Sequence, residues 1–205
     1  IRGYRLNGKV NNIDIKIKDN IFIKNTEFNF FSHNDLFIAN SISANFKKIP
    51  ISKGSVEIDR NNGLSIDGNI NTIVDFKNND LKDFLSGISK FDLRGNKIKI
   101  NGEFLTKFKL DFTDTLKLKN YNYNLSGKIK NSNIEFKNKD FNNFIKKNIS
   151  KINLSESNLN ISLANKNKNS LMLKGLYSLN ENKKFDNYDI ESHFTKKQTN
   201  IKDLN

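Results

Sequence analysis

The chain of 205 residues contains no cysteine and only two histidines, His33 and His193. Disulfides, thiol redox chemistry, cysteine–zinc sites and cysteine nucleophiles are therefore excluded, although this absence does not fix the compartment. A histidine-rich metal site is excluded too. Neither histidine has the spacing of a metal site or a catalytic triad, and no nucleophile-elbow motif is present. We expect both histidines to be exposed loop residues.

The chain also lacks a long apolar segment. No apolar run approaches the roughly 18 residues that span a bilayer, and no signal-peptide hydrophobic region is present. The chain begins at Ile1, without methionine, already inside a strand-like pattern. We therefore expect a fragment of a longer protein whose targeting or anchoring segment lies outside it.

The composition is dominated by three residue types: 37 Asn, 31 Lys and 25 Ile make up close to half of the chain. Their codons are rich in A and T, which indicates an AT-rich, bacterial genome. Hydrophobic residues make up 36% of the chain, below the usual share. This share suffices for one buried face per structural element and hardly for a thick core.

The formal net charge is +13, which is compatible with three interpretations. The lysines are spread along most of the chain and arginine is scarce, which argues against specific binding of nucleic acid. A solvated face in a lysine-biased chain is the favoured interpretation. Contact with anionic lipid and binding of nucleic acid are the two alternatives.

The dominant hydrophobic period is two. Within Lys97–Phe112 the even positions are apolar or glycine and the odd positions are polar, except at Thr106 and Leu105. This alternation predicts a strand of about 50 Å with one apolar and one wet face. Weaker copies of the pattern lie at Ile13–Ile17, Phe28–Phe30, Val56–Ile58, Leu64–Phe76, Tyr121–Ile129, Leu159–Leu163 and Leu171–Leu179.

The clearest turn signal is Asn61-Asn62-Gly63. A three-residue loop with Gly63 in the left-handed conformation would pair Ile58 with Ile66 and Val56 with Gly68 on one face. A two-residue turn would oppose apolar and polar residues, so we reject it. The only proline, Pro50, is expected at an edge or turn.

A weak repeat, apolar-x-apolar-x-Gly-x-apolar, places five glycines on the apolar face in mid-strand. They are Gly8, Gly68, Gly102, Gly127 and Gly175. Mid-strand glycines mark bends or close approaches, and glycine bends are how sheets curl. The repeat therefore predicts an all-β fold, an elongated curled antiparallel sheet that forms an apolar groove, with these glycines bending it.

Two segments follow a helical spacing instead. Asp80–Ser86 has an acidic start and is followed by Gly87, and Asp140–Lys147 ends in two lysines. Each is expected to be a short helix.

Sequence motifs for catalysis are lacking. The segment Gly3–Val10 is a near miss to a phosphate-binding loop, but Val10 stands where magnesium binding requires Ser or Thr, and a strand follows. Acidic residues are scattered singly, so no carboxylate pair can be named. We expect no enzymatic activity, no cofactor and no metal.

The segments Tyr4–Val10, Leu64–Ile70 and Tyr123–Ile129 resemble the recurrent strand pattern of the AsmA-like superfamily, which includes the YhdP-like and TamB-like envelope proteins of Gram-negative bacteria. The helix at Asp80–Ser86 is similar to the middle region of YhdP-like chains. The lysine and asparagine excess is atypical for the family. On this resemblance, 1–196 is an AsmA-like β-groove segment and 197–205 a frayed polar tail.

The resemblance implies a periplasmic β-groove, anchored in the inner membrane outside this fragment, that carries phospholipid toward the outer membrane or serves outer-membrane biogenesis. Its partners would be phospholipid, the two membranes and other envelope proteins. The residues expected to line the groove are Leu64, Ile66, Ile70, Ile98, Ile100, Phe104, Phe108, Leu110, Phe112, Tyr123, Leu125 and Ile129. A wide apolar surface needs an occupant, and acyl chains require area but no directional hydrogen bonds.

Two other classes remain open. An outer-membrane β-barrel also has alternating strands, but it carries aromatic girdles, whereas this chain has no Trp and its five Tyr do not bracket the strands. A structural or adhesin-like surface protein would instead have a filled core.

Overall fold

The computed structural model describes residues 3–18, 21–77, 81, 97–136, 149–165, 169–195 and 198–204. Nearly all of them lie in strands. The strands are β1 (Arg5–Lys18), β2 (Ile21–His33), β3 (Leu36–Phe46), β4 (Ile49–Asp59), β5 (Ser65–Phe76), β6 (Lys97–Phe112), β7 (Leu118–Glu135), β8 (Lys151–Ala164), β9 (Asn169–Leu179), β10 (Asp186–Thr195) and β11 (Gln198–Leu204).

The strands form a single antiparallel sheet whose spatial order is the order of the sequence, from β1 to β11. Every strand pair with extensive contact is a pair of sequence neighbours. The sheet is open, with β1 at one edge and β11 at the other in the described chain. The prediction of an all-β, antiparallel sheet is therefore confirmed.

The two sharpest local predictions are also confirmed. The longest alternating segment forms β6 with the predicted bounds, and Gly102 lies inside it. The β4–β5 hairpin pairs Ile58 with Ile66 and Val56 with Gly68, and Gly63 has a φ of 94°. Pro50 lies one residue after the start of β4, next to the turn that joins β3 and β4.

Several strands are interrupted by β-bulges. Asn12, Asn25, Ser41 and Glu156 have φ values near +50°, and each lies at a register shift between its strand and a neighbour. Asparagine tolerates this left-handed conformation better than most residues, because its short side chain can bond locally. Each bulge shifts the alternation of faces by one residue.

The sheet has one layer in the described chain. The accessible surface is 14642 Å², whereas a globular chain of this mass is expected to expose about 9,800 Å². Fully buried apolar residues are few. One cluster comprises Ile49, Val74 and Phe76, against which Leu81, Ile100 and Phe104 pack. Most apolar side chains are half-buried instead.

The remaining predictions have mixed outcomes. Of the helix expected at Asp80–Ser86, only Leu81 is described, and it is helical. The helix expected at Asp140–Lys147 lies outside the described residues. Within the expected tail 197–205, Gln198–Leu204 forms β11 by antiparallel pairing with β10. The division into a segment 1–196 and a tail 197–205 stays a prediction. Among the described residues, no helix has the length and apolar character needed to cross a membrane.

Candidate functional site

The most extended feature of the sheet is one apolar face. It consists of rows of residues that lie directly opposite each other on successive strands and are mostly hydrophobic. Its longest rows run Gly8–Phe30–Ala39–Val56–Gly68–Phe108–Tyr123–Leu163, Ile42–Gly54–Ile70–Thr106–Leu125–Ile161–Leu171 and Ala44–Ile51–Thr72–Phe104–Gly127–Leu159–Leu173–Ile190. Because paired residues share a face, these rows form one continuous surface, here called the apolar face.

The residues predicted to line a groove come together on this face. Ile66 pairs with Leu110, and Phe108 pairs with Tyr123. All twelve predicted residues lie on or beside β5, β6 and β7, and all are half-buried except Ile129, which is buried. The strands on either side, β2 to β4 and β8 to β10, also contribute residues to the apolar face. The predicted lining did not include those residues.

Glycines on the apolar face are covered by phenylalanine rings from neighbouring strands. A Cβ added at Gly68 would overlap the ring of Phe108, and one added at Gly8 would overlap the ring of Phe30. Neither glycine has a positive φ, so what requires glycine is the close approach of the ring and not the backbone conformation. The contribution of these glycines to sheet curvature stays a prediction.

Other glycines face the backbone of a neighbouring strand. A Cβ at Gly102 would lie 2.7 Å from the carbonyl oxygen of Lys128, and one at Gly127 would overlap the carbonyl oxygen of Glu103. At Gly175 the overlap is with Ser157, a fully buried bulge residue whose Oγ accepts a 2.6 Å hydrogen bond from Tyr188. Burial raises the pKa of the Tyr188 hydroxyl, and the Ser157 bond opposes this rise.

Two depressions lie on the sheet, and both have mixed linings. One of about 750 Å³ lies near the turns at one end, where Tyr4, Phe37 and Ile58 line it together with polar residues such as Asn34 and Arg60. Another of about 850 Å³ is lined largely by the opposite, polar face, including Asn69, Lys107 and other amide and hydroxyl side chains.

The polar face carries cross-strand ion pairs. Lys109 lies 3.2 Å from Asp67, and the hydrogen bond and charge of that carboxylate raise the pKa of Lys109. Glu103 pairs with Lys130, whose hydrogen bond and positive charge lower the pKa of the Glu103 carboxyl. Such exposed pairs contribute little to stability. Other lysines of this face lie opposite asparagines instead, as Lys107 does with Asn69 and Asn124.

The two histidines of the chain lie on different strands, β2 and β10. His33 is the last residue of β2 and is half-buried, so the expected exposed loop position is wrong for it. Its Nδ1 lies 2.8 Å from the Tyr4 carbonyl oxygen. His193 lies within the strand β10 and not in the expected loop. Its Nε2 is 2.7 Å from the Glu191 Oε1. Among the described residues, no three acidic or imidazole side chains are grouped as metal ligands would be.

Comparison of the chain with protein-family models, with curated proteins and with solved structures finds no match. The apolar face itself is therefore the feature from which a function has to be argued.

Proposed function

We propose that this sheet binds acyl chains on its apolar face and serves the transport of phospholipid between the membranes of a bacterial envelope. The observation that carries the proposal is that mostly hydrophobic rows cross up to eight strands on one side of a single-layer sheet. Monomeric soluble proteins rarely leave wide contiguous apolar patches in water, so a face built of such rows calls for an occupant.

Acyl chains suit this surface in two respects. Each methylene group that leaves water contributes about 0.8 kcal/mol, so a 16-carbon chain covered along half of its surface would gain roughly 6 kcal/mol. The half-buried side chains supply contact area, and the rows contain few polar groups that would need a hydrogen-bond partner. The periplasmic setting and the two membranes as partners are supported by the resemblance of the strand repeat to AsmA-like proteins. No reaction is implied.

The test compares two adjacent residues of β6 that lie on opposite faces. Phospholipid in the purified protein is extracted and quantified by mass spectrometry for the wild type, Phe108→Asp and Lys107→Asp. We expect lipid in the wild type, a large loss in Phe108→Asp and little change in Lys107→Asp. A carboxylate among acyl chains costs several kcal/mol, whereas a charge in water does not.

Two outcomes would contradict the proposal. One is an equal loss of lipid in both variants, which would show that lipid binding does not depend on the apolar face. The other is a lipid-free wild type that is a dimer by light scattering, since two apolar faces could also cover each other. That second outcome would favour a structural protein with a filled core.

A further inference from the structure

The Asn61-Asn62-Gly63 turn between β4 and β5 also brings together the groups of a spontaneous chemical modification. The side-chain amide of an asparagine can be attacked by the backbone nitrogen of the next residue. Glycine in that next position leaves the nitrogen unhindered, because it has no Cβ. The chain contains three such Asn-Gly steps, at 7–8, 62–63 and 101–102, and all three lie within the described residues. Of these three, the step at 62–63 is the one that lies outside a strand.

The two Asn-Gly steps inside strands are restrained by the sheet. Asn101 and Gly102 lie within β6, which is paired with β5 on one side and with β7 on the other, and Gly102 is buried. Gly8 lies within β1 opposite Phe30, whose ring occupies the space next to the glycine. Attack on the preceding side chain requires the extended backbone to rotate, so both steps react only when the strand opens locally.

The two asparagines of the turn differ in what their side chains contact, although both are exposed. The Asn61 Nδ2 donates a 2.8 Å hydrogen bond to the Asp59 Oδ1, and the Asn61 backbone N–H donates to the same oxygen. The side chain of Asn62 has no hydrogen-bond partner in the part of the chain that the structure describes. It is therefore free to rotate toward the nitrogen of Gly63, whereas the residue after Asn61 carries a Cβ.

We propose that Asn62 is a site of deamidation. The Gly63 nitrogen loses its proton to hydroxide and forms a bond with the Asn62 Cγ, while the side-chain nitrogen takes up a proton and leaves as ammonia. Water then opens the resulting succinimide ring at one of its two carbonyl groups, which gives either aspartate or isoaspartate. Nothing is oxidised or reduced, one water is consumed for each ammonia released, and the chain gains a negative charge at neutral pH.

The two products differ in their effect on the hairpin. Aspartate leaves the backbone unchanged, whereas isoaspartate routes the chain through the former side chain and adds one methylene group to the loop. Loop length fixes the register of a β-hairpin, so isoaspartate should strain the pair nearest the turn, Asp59–Ser65. This inference does not depend on the proposed lipid binding, because it concerns the turn and not the apolar face.

The experiment incubates the folded, full chain at mildly alkaline pH and follows each asparagine by peptide mapping with mass spectrometry. Chromatography separates the aspartate peptide from the isoaspartate peptide. We expect Asn62 to react about tenfold faster or more than Asn101, because residues inside a paired strand react only through local opening. In urea, where the sheet is unfolded, the two rates should become similar, since both asparagines precede a glycine.

Three variants complete the test. Asn62→Gln should suppress the reaction at this position, because its longer side chain would have to close a larger ring, whereas the matched Asn101→Gln should leave the rate at Asn62 unchanged. Asn62→Asp carries the new charge on an unaltered backbone, so it should unfold at the same urea concentration as the wild type, and the isoaspartate form should unfold at a lower one.

Three outcomes would overturn the proposal. The first is that Asn62 stays unmodified in the folded protein while both steps react in urea. The second is that Asn62 and Asn101 react equally fast in the folded protein, which would show that the turn does not select the site. The third is that Asn62→Gln becomes acidic as fast as the wild type, which would place the modification elsewhere in the chain.

Discussion

Because the Phe108 ring covers Gly68, the effect of Gly68→Ala on the free energy of unfolding should change sign when the ring is removed. In the wild type, Gly68→Ala forces the ring out of its position, and overpacking of this kind costs roughly 1–3 kcal/mol. Replacing glycine in a strand by alanine otherwise raises the free energy of unfolding by about 0.5–1 kcal/mol. We therefore expect Gly68→Ala to reduce the free energy of unfolding by about 1 kcal/mol.

In a Phe108→Ala background the ring is absent, so an alanine at position 68 meets no overlap. Only the stabilising replacement of a strand glycine by alanine remains. Phe108→Ala alone should cost about 2 kcal/mol, less than a core phenylalanine, because the ring is half-buried. Adding Gly68→Ala to it should then stabilise the protein by about 0.5–1 kcal/mol. The coupling free energy of this double-mutant cycle is therefore about 2 kcal/mol.

The matched control is Gly127, where an added Cβ overlaps both the ring of Phe104 and the carbonyl oxygen of Glu103. Removing the ring leaves the carbonyl in place, so Gly127→Ala should destabilise by about 3 kcal/mol with or without Phe104→Ala. All variants are compared by urea unfolding, with unchanged m-values as the criterion for an intact two-state transition. If Gly68→Ala had the same effect in both backgrounds, the ring would not be what requires glycine at this position.

Two further predictions concern the faces of the sheet. Lys130→Gln should raise the pKa of Glu103 toward its ordinary value of 4.5, measured by NMR titration of the carboxyl carbon. Because the folded-state pKa is lowered, the pair stabilises the fold above pH 4.5, and this contribution is lost as the pH falls through the folded-state pKa; an unchanged pKa would show that the pair does not form in solution. Gly102→Val should lower both thermal stability and lipid content, since its side chain meets the Lys128 carbonyl and the Phe104 ring; if neither changes, the glycine is incidental to both curvature and packing.

Sequence alone predicted strands well where the alternation is uninterrupted. β6 has no left-handed residue, and its two faces could be assigned residue by residue. β2 was predicted only at Phe28–Phe30, and β3 was missed, because bulges at Asn25 and Ser41 change which face the next residue occupies. The hydrophobic pattern of such a strand looks irregular, although the strand stays paired with its neighbour on both sides of the bulge.

The contacts of the candidate site were less predictable. Gly68 and Phe108 are opposite each other but lie 40 positions apart in sequence, across a long connection whose length gives no register. The Val56–Gly68 pair, in contrast, followed from the Asn61-Asn62-Gly63 turn, because a short hairpin loop fixes register. Which ring covers which glycine therefore required the structure.

The sequential order of the strands has a consequence for how this protein can fold and change. Since each strand finds its partner in the next one along the chain, a growing polypeptide can add hairpins to an existing edge without waiting for a distant segment. Loss or duplication of a pair of strands would leave every other pairing in place, as in repeat proteins, whose stability is a sum of neighbour interactions. The number of strands in such a sheet can therefore change during evolution, when insertions or deletions add or remove one hairpin at a time.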